Sequence, residues 1–182
     1  MGDFSQNGII SNLHDFGTKT TADIEKELVK FSKERKMELI LPSLYSELKG
    51  DALPNIVKQI SETKYLNHII VGLDKASKTE AVKAWKFFKK LNTPFTILWN
   101  DGPRLKKLHE ELKEKDLAPS EMGKGRNVWY CLGMCIARDE ARSVALHDCD
   151  IKTYDRRMLA KLFYPVVNPF FNFEFFKGYY PR

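Results

Sequence analysis

Disulfide chemistry has little to work with here: 182 residues carry three cysteines, at 131, 135 and 149. An odd count without a repeating spacing excludes a disulfide framework. Cys131 and Cys135 stand four apart on an expected helix and Cys149 lies inside an acidic motif, with no CxxC pair or CxxH to complete a metal site. They read as buried, inert thiols. Long apolar runs are also missing. No stretch approaches the roughly 20 apolar residues that span a bilayer, and the opening MGDFSQNGII lacks the basic region and apolar core of a signal peptide. A cytoplasmic location is therefore expected. There is no RNP-like motif, zinc finger or arginine-rich arm, so the net charge of +6 points to a small anionic partner and not to nucleic acid. No internal repeat or low-complexity segment appears, and the length suits one domain.

What is present is an alternation of periodicities. Four short apolar runs, 38–42, 68–73, 94–99 and 143–147, are bounded by polar or turn residues and read as buried parallel strands. Between them come helical stripes. Ile24, Leu28 and Phe31 mark one, Ile56 and Ile60 another, and Ala81, Trp85, Phe88 and Leu91 a third. Leu105, Leu108 and Leu112 repeat through a charged stretch where Lys106 and Glu110 have ion-pair spacing. Strands alternating with helices predict an α/β fold with a mainly parallel central sheet. Residues 1–37 are expected to form an extension whose helix packs on a domain spanning 38–182. The aromatic tail, with Phe173, Phe175, Lys177 and Tyr179 alternating, predicts one added, antiparallel strand. Left unpaired, it would favour homodimerisation.

Chemistry concentrates at the expected strand ends. The fourth strand runs into His147-Asp148-Cys149-Asp150, and two carboxylates one residue apart suit a hard divalent cation that neutralises a diphosphate. Upstream, Gly123-Lys124-Gly125 opens a helix whose apolar stripe is Val128, Leu132 and Ile136. Glycines let backbone amides approach phosphate oxygens, a helix N-terminus favours an anion, and Lys124 adds a point charge. The full P-loop pattern is absent. The turn after the first strand, residues 42–47, offers Tyr45 to stack on a base and Glu47 to accept from base or ribose. After the second strand, Asp74 binds ribose or base, or caps the helix beginning near Lys78.

In their order, PSLYSE, IIVGLDKASKTEAV, GKG, HDCDIKTYD and FEFFKGYYPR resemble the retaining GT-A glycosyltransferases that make glucosyl-3-phosphoglycerate and mannosylglycerate. The resemblance covers Glu38 to Arg182. It implies a Rossmann-like nucleotide-sugar-binding fold. It also implies a cofactor, Mg²⁺ or Mn²⁺, and a donor, UDP-glucose or GDP-mannose. The acceptor would be a small phosphorylated or carboxylic acid. Carried over by position, Pro42, Ser43 and Glu47 line the nucleoside pocket, with Asp74 close by. Gly123 and Lys124 meet the diphosphate, Asp148 faces ribose or a metal-bound water, and Asp150 ligates the metal. Members of the family continue past the aromatic strand into acceptor-binding loops and a downstream histidine. None of His14, His68, His109 and His147 follows that strand, so the chain reads as a truncated, donor-binding part. No side chain stands out as a covalent nucleophile, and the catalytic residue is not assigned. Two rivals stand beside this reading. One is a non-catalytic nucleotide-binding or interaction module. The other is a haloacid-dehalogenase-type phosphatase, which normally carries its DxD on the first strand.

Overall fold

A computed structural model of the chain describes residues 19–171 and 173–178. The chain begins there with helix α1 (Thr21–Phe31), followed by strand β1 (Met37–Leu44) and a 3-10 turn (Tyr45–Lys49). Then come α2 (Ala52–Ser61), β2 (Leu66–Asp74), α3 (Lys78–Phe88), β3 (Phe95–Trp99), α4 (Pro103–Lys113), α5 (Lys124–Arg138), β4 (Ser143–Leu146) and α6 (Arg156–Val167). All four strands are parallel and lie in the order β3-β2-β1-β4. This is the α/β layering with a parallel sheet that the sequence predicts. Residues 1–18, which include Gly2, Gly8 and Gly17, fall outside the described part.

Helices cover both faces because parallel strands need long crossovers. One face of β1 and β2 presents Met37, Leu39, Leu41, Ile69 and Val71 to the main core, which α1, α2 and α6 close with Leu28, Ile56 and Phe163. The opposite face, Ile40 and Ile70, meets Cys131 and Cys135 of α5. Thr20 and Asp23 form a capping box that starts α1, and its Ile24 and Leu28 are fully buried. Each such side chain contributes about 1.5–3 kcal/mol. The first three strands progress in one direction, and α5 then carries the chain back to the far side of β1. That reversal leaves a crevice between the carboxyl ends of β1 and β4. Among the described residues no helix is long and apolar enough to cross a membrane.

Several local expectations need correcting. Pro42 does not end β1, which runs on to Leu44. β4 pairs with β1 only as far as Ile40, so no ladder partner awaits the N–H that Pro42 lacks. The inner face of α5 is not Val128, Leu132 and Ile136 but Asn127, Tyr130, Cys131 and Cys135; Leu132 and Ile136 are exposed. Compact side chains win at 127 and 131 because the helix lies close against Gly72, where an added Cβ would come within 2.7 Å of the Cys131 sulfur. Trp85 is half exposed, with the Lys89 ammonium 5.3 Å from its ring centre. α4 buries no residue fully, and its ion pair is Lys107–Glu111, not Lys106–Glu110.

Among the described tail residues there is no strand. Phe171 packs edge-on to Tyr164, Phe173 packs on Phe171, and Phe175 is exposed. Tyr179 lies outside the described residues. Helix α6, which Asp155 caps, carries no expectation from the sequence reading. Pro165 inside it obscures its periodicity.

Candidate functional site

The carboxyl edge of the sheet is where the chemistry-bearing residues meet. At the end of β1 the chain turns through a 3-10 turn held by its own acid: Glu47 accepts the Leu44 amide at 2.9 Å. Glu47 is half-buried, and Ser43 is buried. The Ser43 hydroxyl donates to the Leu44 carbonyl at 3.1 Å, and both Ser43 and the charge of Glu47 act on the buried Cys149 thiol. Residues 43 and 47 therefore lie beside the Asp148-Cys149-Asp150 turn. Pro42 is buried within β1, paired with Gly72 of β2.

The alternation of β4 continues past its last residue, Leu146, and sorts the acidic motif. His147 and Cys149 point inward and are buried; Asp148 is half exposed and Asp150 exposed. Burial raises the Cys149 thiol well above its ordinary range, with Glu47 adding to the effect. Burial holds His147 down at about 4, so the imidazole is neutral; it stacks edge-on against Tyr154 with ring centres 5.3 Å apart. This histidine packs in the core.

Helix α5 starts at this edge. Gly123 precedes it with φ 138°, a conformation L side chains rarely adopt. No side chain caps the helix, so its first amides face outward with the positive end of the dipole. The Lys124 ammonium bonds the Asp148 carboxylate at this edge. The two side chains are 57% and 46% exposed, so the pair contributes at most about 1 kcal/mol. An incoming anion or cation can separate it at little cost. Residues 119–126 line a depression of about 490 Å³ around this helix start. Arg126, which the sequence reading passes over, joins it there, and its Nε has no hydrogen-bond partner among the described residues.

Asp74, at the end of β2, differs. It is 8% exposed; Oδ1 accepts from Asn100 at 2.8 Å, and Oδ2 from Asn127 at 3.2 Å. It does not cap α3; Ser77 does, in a capping box with Glu80. Neither Asn100 nor Asn127 is legible as a site residue from sequence, since an amide inside an apolar pattern carries no signal of its own.

Could these residues hold a divalent cation? No group of three or more His, Cys, Asp or Glu side chains among the described residues is arranged for one. Asp148 and Asp150 nevertheless project outward on either side of inward-pointing Cys149, offering oxygen donors only. One or two carboxylates, completed by water and substrate phosphates, is a set that suits Mg²⁺ and related hard ions. The residues fit a cation that arrives with a diphosphate.

No protein-family model matches the chain. It is 45% identical to glucosyl-3-phosphoglycerate synthase of Persephonella marina over all 182 residues, which is 45% of that protein's length. It is 36% identical to the enzyme of the same name from Methanococcoides burtonii over 174 residues, or 42% of that protein. The chain thus spans less than half the length of these curated relatives. Among solved structures it resembles glucosyl-3-phosphoglycerate synthase from Mycobacterium tuberculosis, crystallised with Mn²⁺, UDP and glucosyl-3-phosphoglycerate. That likeness has a TM-score of 0.53 at 17% identity and covers 86% of this chain and 47% of that one. By sequence along its full length, and by its GT-A fold, the chain is a homologue of the glucosyl-3-phosphoglycerate synthases.

Proposed function

We propose that the chain is the donor-binding part of a metal-dependent glucosyltransferase that moves glucose from UDP-glucose to 3-phosphoglycerate with retention. The observation that carries this is the meeting of Lys124, at the start of α5, with Asp148, just past the end of β4, at the carboxyl edge of the sheet. Glucose is favoured over mannose by the names of both curated relatives, and uridine over guanosine by the UDP in the solved neighbour.

In this reading the last residues of β1, Pro42 and Ser43, and Glu47 of the turn that follows border the nucleoside. The start of α5 receives the diphosphate: Gly123 lets the backbone approach, and Lys124 turns from Asp148 to the phosphate oxygens. Asp148 and Asp150 would hold Mn²⁺ or Mg²⁺, which when bound neutralises diphosphate charge. As the bond to the anomeric carbon breaks, negative charge grows on the leaving diphosphate. The Lys124 ammonium and the α5 amides bind that charge more strongly than they bind the intact donor, which lowers the barrier.

The test is sugar transfer by the protein carrying this sequence, with UDP-glucose and GDP-mannose offered in turn and 3-phosphoglycerate as acceptor. Manganese-dependent transfer from UDP-glucose, lost in Asp150→Ala, is expected. Transfer indifferent to metal and to Asp150 overturns the reading. A second reading is a module that binds the nucleotide without turnover. UDP binding without transfer would favour it.

A further inference from the structure

Helix α5 is fastened to the sheet at both ends. Near its C-terminus Arg138 pairs with the buried Glu38 of β1, Nε to Oε1 at 3.1 Å. Near its N-terminus, three residues past Lys124, Asn127 is 2% exposed and bonds β2 twice. Its Nδ2 donates to the Gly72 carbonyl at 2.9 Å and to Asp74 Oδ2 at 3.2 Å. The other face of the amide is also used: Oδ1 accepts from the Cys131 thiol at 3.5 Å. Asp74 is steadied in turn by Asn100 at 2.8 Å. Gly72 must stay a glycine for this to fit, since a Cβ there would lie 1.6 Å from Asn127 Oδ1.

We infer that Asn127 is a positioning residue, which with Asp74 and Gly72 clamps the first turn of α5 to β2 and thereby aims Lys124 at the diphosphate. The inference rests on the proposed role of Lys124. The physical argument is one of rigidity. No side chain caps the helix, and apart from the exposed Lys124–Asp148 pair its first turn has little to hold it, since Lys124 and Gly125 are exposed. First turns of helices fray unless tied. A lysine on a fraying turn spreads its charge over a wide volume, whereas catalysis and phosphate binding need it in one place. The buried amide supplies the tie without touching ligand. It also gives Asp74 a different task from that of a ribose contact. Its carboxylate is the acceptor the clamp closes on.

The experiment compares UDP with uridine in the presence of Mn²⁺, read by ligand-observed NMR on the 182-residue chain and its variants. Asn127→Ala is expected to weaken UDP binding by about ten-fold and leave uridine binding unchanged, because only the diphosphate end loses its lysine. Asp74→Ala should do the same, and the double variant should bind UDP no worse than the weaker single one. Asn127→Leu, which keeps the volume without the donor, repeats the test should Asn127→Ala fold poorly. UDP affinity unchanged in the Asn127 variants, or UDP and uridine falling together, overturns the inference.

Hydrogen exchange without ligand reads the clamp by itself. Amides 127–130 are expected to exchange faster in Asn127→Ala, and unchanged protection overturns the clamp. Lys124→Ala separates the two claims. If it leaves UDP binding intact, the diphosphate reading fails and the aiming of Lys124 fails with it, while the exchange result still decides whether the tie exists.

Discussion

At the end of β2, Asp74 is 8% exposed and each of its oxygens takes an amide donor. At the end of β4, Asp148 stands half exposed against a lysine and Asp150 is exposed. The two sites begin alike in sequence, as an apolar strand running into an acid at the same edge of one sheet. They diverge through partners that are far away along the chain: Asn100 and Asn127 for the first, Lys124 for the second. An acid wrapped in neutral amides is built to hold a shape. An acid facing a mobile ammonium is built to exchange partners.

The sharpest way to break this comparison is to remove one acid from each end. Asp150→Ala is expected to cut metal-dependent transfer by about 100-fold while leaving the unfolding midpoint in urea where it was; a shifted midpoint would make Asp150 structural. Asp74→Ala should do the opposite to stability. Leaving two buried amides without their acceptor costs about 2–3 kcal/mol, read as a lower urea midpoint.

The exchangeable pair can be probed from its cationic side. Lys124→Ala frees Asp148, so calorimetry without nucleotide should find Mn²⁺ bound more tightly, by about three-fold, even as UDP binding weakens. Weaker metal binding in that variant would count against the exchange. The smallest effect is expected at the thiols. Burial pushes Cys131 and Cys135 up to about 12 and raises Cys149 further. A thiol reagent near neutral pH should therefore label none of the three until the chain is unfolded. Rapid labelling of Cys149 in the native chain would mean that the acidic turn opens.

The sheet was readable because a parallel strand buried on both faces leaves a short, unbroken apolar run, as residues 68–73 do. Helix faces were harder. In α5 the most apolar stripe, with Leu132 and Ile136, faces out, while Asn127, Cys131 and Cys135 face in. Hydrophobicity ranks side chains by transfer free energy, but a helix set close over a strand glycine selects by size and by hydrogen-bonding reach. Strand ends were legible as places where acids gather. Which acid is shape and which is exchange was not, because that depends on contacts closed only by folding. Tail residues 173–178 show the limit from another side, since an alternating pattern predicts a strand only where an edge is there to receive it.

The two glycines of the GKG segment look interchangeable on paper, and their backbones say otherwise. Neither has anything within 4 Å of where a Cβ would stand, but Gly123 sits at φ 138°, whereas Gly125 lies within the helical backbone of α5. A library randomised at both positions and selected on immobilised UDP should return glycine at 123 and a broad alphabet at 125. Substitution in this segment has room on one side of the lysine and a fixed hinge on the other.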